Sequence, residues 1–479
     1  MAKSKIIELH NKLVNGEITI KEIFDQNKDN YEKMKDTNSM ITDTFNLIDC
    51  EALQSQIKDN KDNILFAIPY TLKDNIVTKG IRTTGGSNFL RNFIPPYDST
   101  VHKTLSSYNA MLLGKANLDE FGFGHSGLTT AYGEVKNVLD RSKITSGSSS
   151  GSVNLVAGDV GVFSIGTDTG DSVRKPSSYL GVVGFKPSYG AISRFGVYPY
   201  SPSLDHVGII AKYVTDVAIV SQYLFKFDEK DYTSENHEAK YYENLKPTQN
   251  LKIAIFDDIE QFLCKEVLEE YQRVIKLLKD NNIIVEKIKV DWELLKTLYM
   301  SYRFVSYSEG LSCYHNMTGI TFGSNFDKDI VGYKNMILNN RTEGFGKEIK
   351  FRFIYGHLLD KFEDFSKCLK KAQKAGLIYS KFIDNILKDY DAYLVPCTGS
   401  TVPSIEDFKK GKNNLNYVDD LYLLGNFAHS PSITLPTGHV DNMPWCINLN
   451  CKHGDDQKLL NAALRLEQIF NFYKEDNND

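Results

Sequence analysis

The sequence predicts an α/β fold, and three features of the chain support that prediction. Short apolar runs punctuated by glycine recur from about residue 64, and stretches with helical spacing lie between them. The same alternation restarts after a long polar connection. Strands alternating with helices bury their apolar faces as packed layers.

Taken in order, the first 45 residues read as helix. Ile6, Ile7, Leu9, Leu13 and Val14 recur along one helical face, and Thr19-Ile20-Lys21-Glu22 has the form of a capping box opening a second helix. Residues 64–68, 110–113, 160–165 and 182–185 are expected as buried strands, with helices near 99–108 and 149–157 between them. Residues 226–250 are polar and rich in turn formers, which predicts a long surface connection and a seam. A strand is expected at 251–256, a helix near 262–279 and another strand at 282–290. Residues 294–390 are helical in pattern, and 390–395 is a further strand. The charged tail 474–479 is expected to fray. These boundaries give an N-terminal helical segment at 1–60, a main body at 61–470 and a tail at 471–479.

The 479 residues carry 56 Lys and Arg against 61 Asp and Glu, a formal charge of −5. That leaves no basic field to hold nucleic acid by phosphate neutralisation alone. No apolar run reaches the roughly 18 residues of a membrane span, and Met1-Ala2-Lys3-Ser4-Lys5 leads into an amphipathic stretch rather than a signal-peptide core. The seven cysteines are scattered and form no C-x-x-C pair. They argue against a disulfide framework or zinc ribbon and for a reducing cytoplasm. No histidine lies in a metal-ligand spacing, and no phosphate-binding G-x-x-x-x-G-K-[ST] loop is present. The expectation is a cytoplasmic protein with no membrane association, no metal and no cofactor of its own.

The densest chemical signal is Thr145-Ser146-Gly147-Ser148-Ser149-Ser150-Gly151-Ser152, followed by Gly166-Thr167-Asp168-Thr169-Gly170-Asp171-Ser172-Val173-Arg174-Lys175-Pro176. A serine-rich loop is more often a linker or a helix cap than a reaction centre. Here the flanks are apolar, so the small residues belong to turns between buried elements. Lys73 follows the apolar run 64–68. Its bland reading is solvation at a sheet edge; its functional reading is a desolvated amine able to act as a base. A lysine can replace histidine in activating a serine hydroxyl.

Lys73, Ser148 and Ser172, in these local sequences, resemble the amidase signature family. The resemblance implies a central mixed sheet flanked by helices, with an N-terminal helical extension. It also implies a Ser–Ser–Lys triad in which Ser172 is the nucleophile, Lys73 the ultimate base, and Ser148, held by a cis peptide, the proton relay. The backbone N–H groups of Thr169, Gly170, Asp171 and Ser172 would form the oxyanion hole. Within the family, several segments are similar to the glutaminase components of tRNA-dependent amidotransferases. They include Lys73-Asp74-Asn75, Asn117-Leu118-Asp119-Glu120-Phe121, Ser193-Arg194-Phe195-Gly196-Val197 and Gly344-Phe345-Gly346. That similarity implies glutamine as substrate, with Arg352 gripping its α-carboxylate and Asp419 its α-ammonium. Each of the two also has a reading as an ordinary surface charge. It further implies a heterotrimer with the B and C subunits, in which a partner binds misacylated tRNA, ATP and Mg and receives the ammonia.

The family's paired glycine before the nucleophile is Gly170-Asp171 in this chain, and a carboxylate pointing inward would repel an oxyanion. The usual Thr-Glu-Asn-Ser loop reads Gly127-Leu128-Thr129-Thr130, and Cys313, Asn316 and Thr318 stand where the family has Asn, Arg and Asp. Two other functions therefore stay open: a structural subunit with weakened hydrolysis, and a stand-alone amidase. Gly147-Ser148-Ser149-Ser150-Gly151 also satisfies the nucleophile elbow G-x-S-x-G, with Ser149 attacking.

Overall fold

The computed structural model describes residues 3–236, 240–326, 331–361, 365–412 and 416–473. The tail expected to fray, 474–479, lies outside them. Eleven described strands form one sheet. They are β1 (Met40–Asp43), β2 (Pro69–Lys73), β3 (Met111–Ala116), β4 (Phe163–Asp168), β5 (Val183–Lys186) and β6 (His206–Ala211), followed by β7 (Lys252–Phe256), β8 (Ile284–Ile288), β9 (Ala392–Pro396), β10 (Ser432–Val440) and β11 (Met443–Asn450). Their spatial order is β1-β3-β2-β4-β6-β5-β10-β11-β9-β7-β8. The sheet is mixed: β2 runs parallel to β3 and β4, β7 runs parallel to β8 and β9, and the remaining neighbours are antiparallel.

Parallel neighbours need crossovers, and helices supply them. Thr100–Ser107 lies between β2 and β3, and Ser150–Ala157 between β3 and β4. With helices covering the sheet, every residue of β2, β3 and β4 is buried. Strands buried on both faces read as continuous apolar runs rather than alternation. The capping box forms as expected: Thr19 accepts from Glu22 N–H, and the Glu22 carboxylate accepts from Thr19 N–H. Residues 225–251 contain no described helix or strand, in keeping with the long polar connection.

Several boundaries differ from the sequence reading. Residues 64–67 are turns, and the strand begins at Pro69, five residues after Ile64. Ala67 has φ +57, which extended chain cannot hold, and proline suits a first strand position because it has no ladder N–H to lose. Leu65 and Ile68 are buried because they pack into the core without joining the sheet. The strand expected at 160–165 runs from Phe163 to Asp168 instead. The first 45 residues are not all helix, since Met40–Asp43 pairs with β3 as an edge strand. The β10–β11 hairpin and β6 carry no expectation above. In β10, Pro436 and Gly438 flank a register shift, and the turn uses Asp441 and Asn442, both at positive φ, in place of the usual Asn-Gly.

The helical stretch read at 294–390 is present as Leu298–Tyr314, Tyr333–Gly344, Lys347–Lys361 and Phe365–Ile386, with a single turn at Trp292–Leu295. An aromatic cluster of Phe89, Phe121, Phe123, Tyr200, Tyr314 and Phe345 joins these helices to the loops beyond the sheet. None of the described helices is long and apolar enough to cross a membrane.

Candidate active site

Lys73 is the last residue of β2 and has no exposed surface. Its Nζ lies 2.7 Å from Ser148 Oγ, 2.9 Å from Ser149 Oγ, 2.9 Å from Thr167 Oγ1 and 3.3 Å from Thr167 O. Burial pulls the amine down to about 7, against the opposing pull of Asp119 and Asp168. A neutral amine has two N–H donors and one lone pair. Thr167 O and one hydroxyl can therefore take its hydrogens while it accepts a proton from another.

Ser148 sits in the tight loop before helix Ser150–Ala157, after a cis Gly147–Ser148 peptide. The Asp119 carboxylate underlies this loop and accepts the N–H groups of Ser126, Gly127 and Thr129 at 3.0–3.1 Å. A Cβ on residue 147 would fall 2.1 Å from Asp119 Oδ2, so only glycine fits there.

Ser172 follows the C-terminal end of β4. The loop that carries it is clamped by the buried pair Asp168–Arg174. Asp168 accepts Val173 N–H at 3.0 Å and the Arg174 guanidinium at 3.0 and 2.9 Å. Arg174 also donates to Gly170 O, Tyr422 O, Ser432 Oγ and Asn426 Oδ1. Burial would raise the Asp168 carboxyl, but the guanidinium prevails and holds it down at about 2. Ser172 O accepts Ser149 N–H at 3.1 Å, which ties the two serine loops together. Among the described residues, no hydrogen bond joins the Ser172 and Ser148 hydroxyls. Nor does any described acceptor engage the N–H of Thr169, Gly170, Asp171 or Ser172.

Above this floor opens a cleft of about 720 Å³. Gly170, Asp171, Ser172, Arg352 and Asp419 all line it, while Lys73 and Ser148 lie beneath. Arg352 projects from helix Lys347–Lys361. It donates to Glu348 Oε1 and to Tyr200 OH, each at 2.9 Å, and stacks 5.2 Å from the Tyr307 ring centroid. Asp419 accepts from Lys175 Nζ at 2.8 Å, while its Oδ1 is buried without a partner. Burial and the neighbouring Asp419 push the Asp420 carboxyl up to about 7. Asp171 is half-buried and makes no described ion pair. Burial raises its carboxyl to about 6, against the pull of Lys175.

The structure thus brings every sequence-selected residue to one place. Ser149 Oγ is fully buried, accepts from Lys73 and donates to Thr167 O at 3.1 Å, with no described bond to a histidine. That commitment does not suit the elbow reading. Sequence reasoning missed Thr167, whose side chain and carbonyl both meet Lys73, and the bracing role of Asp119. Asp119 and Thr167 both belong to quoted runs, but nothing in those runs pairs Thr167 with a lysine 94 positions earlier. His125 also lines the cleft, and burial lowers it to about 4, so it is neutral. Among the described residues, no cluster of three His, Cys, Asp or Glu could hold a metal.

Comparison with known proteins places this geometry. The family described as Amidase matches residues 22–460. The A subunit of glutamyl-tRNA(Gln) amidotransferase from Mycoplasma genitalium is 40% identical over 456 residues, covering 92% of this chain and 93% of its own. The protein of the same name from Mycoplasma pneumoniae is 38% identical, covering 99% and 100%. The crystal structure of the corresponding A subunit from Thermotoga maritima superposes with a TM-score of 0.75 at 27% identity, covering 94% of each chain. Peptide amidase from Stenotrophomonas maltophilia shares the fold, with a TM-score of 0.81 at 21% identity and 98% coverage of each chain.

Proposed function

Because this chain belongs to the amidase family, we propose that it is a glutaminase subunit, hydrolysing glutamine to supply ammonia to a tRNA-dependent amidotransferase. The observation that carries this reading is Lys73, fully buried and 2.7 Å from Ser148 Oγ, beneath a cleft lined by Ser172.

Ser172 Oγ attacks the side-chain carbonyl carbon of glutamine. Its proton passes to Ser148 Oγ as the Ser148 proton passes to neutral Lys73. The carbonyl electron pair moves onto oxygen, against the unengaged N–H groups of residues 169–172. Collapse reforms the carbonyl and breaks the carbon–nitrogen bond. The proton on Lys73 returns through Ser148 to the departing nitrogen, leaving ammonia and an ester on Ser172. Water, deprotonated along the same route, then hydrolyses the ester to glutamate. Arg352 takes the α-carboxylate through charge-assisted bonds, and Asp419 takes the α-ammonium.

Both Mycoplasma relatives carry the name of the glutamyl-tRNA(Gln) amidotransferase A subunit. That name supports a place as one subunit of an amidotransferase, and the proposal extends this to a cytoplasmic heterotrimer with B and C subunits, in which a partner carries tRNA, ATP and Mg. Such a division suits ammonia, which water would protonate if it were released outside the complex.

Ser172→Ala in the assembled enzyme tests the reading. Amidation driven by glutamine is expected to stop, while amidation driven by ammonium salt continues. Loss of both, with the complex intact, would overturn it. Retention of both would favour the structural-subunit reading, for which the Asp171 carboxylate beside the oxyanion loop is the supporting observation.

A further inference from the structure

Asp119 and Glu120 are adjacent buried carboxylates that face opposite ways. Asp119 underlies the Ser148 loop, and its own N–H donates to Ser148 O at 3.3 Å. Glu120 reaches across to the helical side of the cleft. Its Oε2 accepts Gly346 N–H at 2.8 Å, and its Oε1 accepts the Ser87 hydroxyl, which also lies 3.3 Å from Gly344 O. Gly346 immediately precedes helix Lys347–Lys361, which carries Arg352. A Cβ on residue 346 would come within 2.5 Å of Glu120 Oε2, so the contact is built around a glycine. A carboxylate beside a helix N-terminus is also favoured by the helix dipole.

We propose that Glu120 is a positioning residue: by holding the 344–346 turn it sets where Arg352 stands relative to the Ser148 loop, and so how glutamine is bound. Arg352 itself is steadied by Glu348 and Tyr200, on which its guanidinium bonds converge. Glu120 ties the start of its helix to the segment that braces the Ser148 loop, while further along Phe353 packs on Phe123 and Tyr200 leads through Asp205 to Thr169. No lysine or arginine lies within ion-pair distance of Glu120 among the described residues, and burial raises its carboxyl to about 7. What the site requires is an acceptor oxygen, and a glutamine can provide one. This inference rests on the reading of Arg352 as the carboxylate ligand.

The test is steady-state glutamine hydrolysis by the assembled enzyme. Misplacing a binding group by about an ångström costs up to about 10²-fold. Glu120→Ala is accordingly expected to raise KM about tenfold with kcat changed by less than about threefold. Glu120→Gln is expected to restore KM to within about twofold of the parent, because its amide oxygen can accept from Gly346 and Ser87 can accept from its NH2. Arg352→Lys tests the underlying reading separately. If Arg352→Lys leaves KM unchanged, Arg352 is not the carboxylate ligand. If it raises KM while Glu120→Ala does not, the positioning role is wrong. In an Arg352→Lys background, Glu120→Ala is expected to add less than about twofold to KM, since both act through one contact. A fall in kcat with KM unchanged would also overturn the proposal. Should Glu120→Ala not fold, Ser87→Ala with amide hydrogen exchange at Gly346 decides the matter: faster exchange with raised KM supports the tie, and unchanged KM overturns it.

Discussion

Beneath the cleft, Lys73, Asp168 and Arg174 have no exposed surface, and Thr167 very little. The Arg174 guanidinium meets five different residues. Across the cleft the helices are built differently. Met300 is 43% exposed, and Arg352, itself 6% exposed, is held by Glu348, Tyr200 and Tyr307. The floor is a set of strand ends locked by hydrogen bonds that water cannot reach. The wall is a helical layer with apolar surface still open. The difference suits two tasks. Activating a hydroxyl with an amine requires desolvation, because only burial brings a lysine near neutrality. On the proposed mechanism, gripping a substrate's charged ends needs side chains that reach into the cleft, as Arg352 and Asp419 do.

The severest test of this contrast is Lys73→Arg. Guanidinium stays charged and cannot accept a proton, so glutaminase turnover is expected to fall by about 10² to 10⁴. Near-full activity would make the lysine structural and the proposed triad wrong. Next is Asp168→Asn, which strands the buried Arg174 charge. A cost of about 3–5 kcal/mol is expected in urea unfolding, with turnover lost even where the protein is folded. A loss below about 1 kcal/mol would mean that the floor is not locked as described.

On the wall the expected effects are smaller. Arg352→Ala removes charge-assisted bonds worth about 1.5–3 kcal/mol, so kcat/KM for glutamine is expected to drop about 10- to 100-fold, mainly through KM. An equal loss in kcat alone would move Arg352 from the wall to the chemistry. The mildest change concerns Asp171, where floor and wall meet. On the proposed mechanism Lys73 acts as the neutral amine, so kcat/KM is expected to rise with pH through about 7, as Lys73 loses its proton, and to be lost as pH falls. Asp171 becomes negative above about 6 and opposes the developing oxyanion over the same range. Asp171→Asn is thus expected to raise kcat about threefold while leaving the limb near 7 in place. A limb that disappears in this variant would assign it to Asp171 instead of Lys73.

Much of this was legible from residue order. Short apolar runs placed β3, β5, β7 and β9 close to where they lie, because strands buried on both faces carry their signal locally, and the edge strand β8 was found from its apolar start although only Val285 of it is buried. β10 and β11 were not legible. Pro436 and Gly438 argue against a central strand, and only pairing with β5 and β9 makes one of them. The start of β2 was misplaced because 64–68 is as apolar as a strand and is buried by packing instead.

The site divides along the same line. Residue order marked the glycine- and serine-rich turns and the lysine at a strand end, since such turns between apolar runs keep their character whatever surrounds them, and the family resemblance grouped Lys73, Ser148 and Ser172 among them. Arg352 and Asp419 came only from the family resemblance, which marked them as residues to follow. Packing had to reveal that Thr167 completes the surroundings of Lys73, that Ser149 is occupied, that Lys175 holds Asp419, and that Glu120 reaches Gly346 across 226 positions of chain. A pKa, an orphaned N–H or a hydrogen bond between distant segments is a property of the packed environment. Burial fixes it, and burial is settled only when the sheet and the helical wall close on one another.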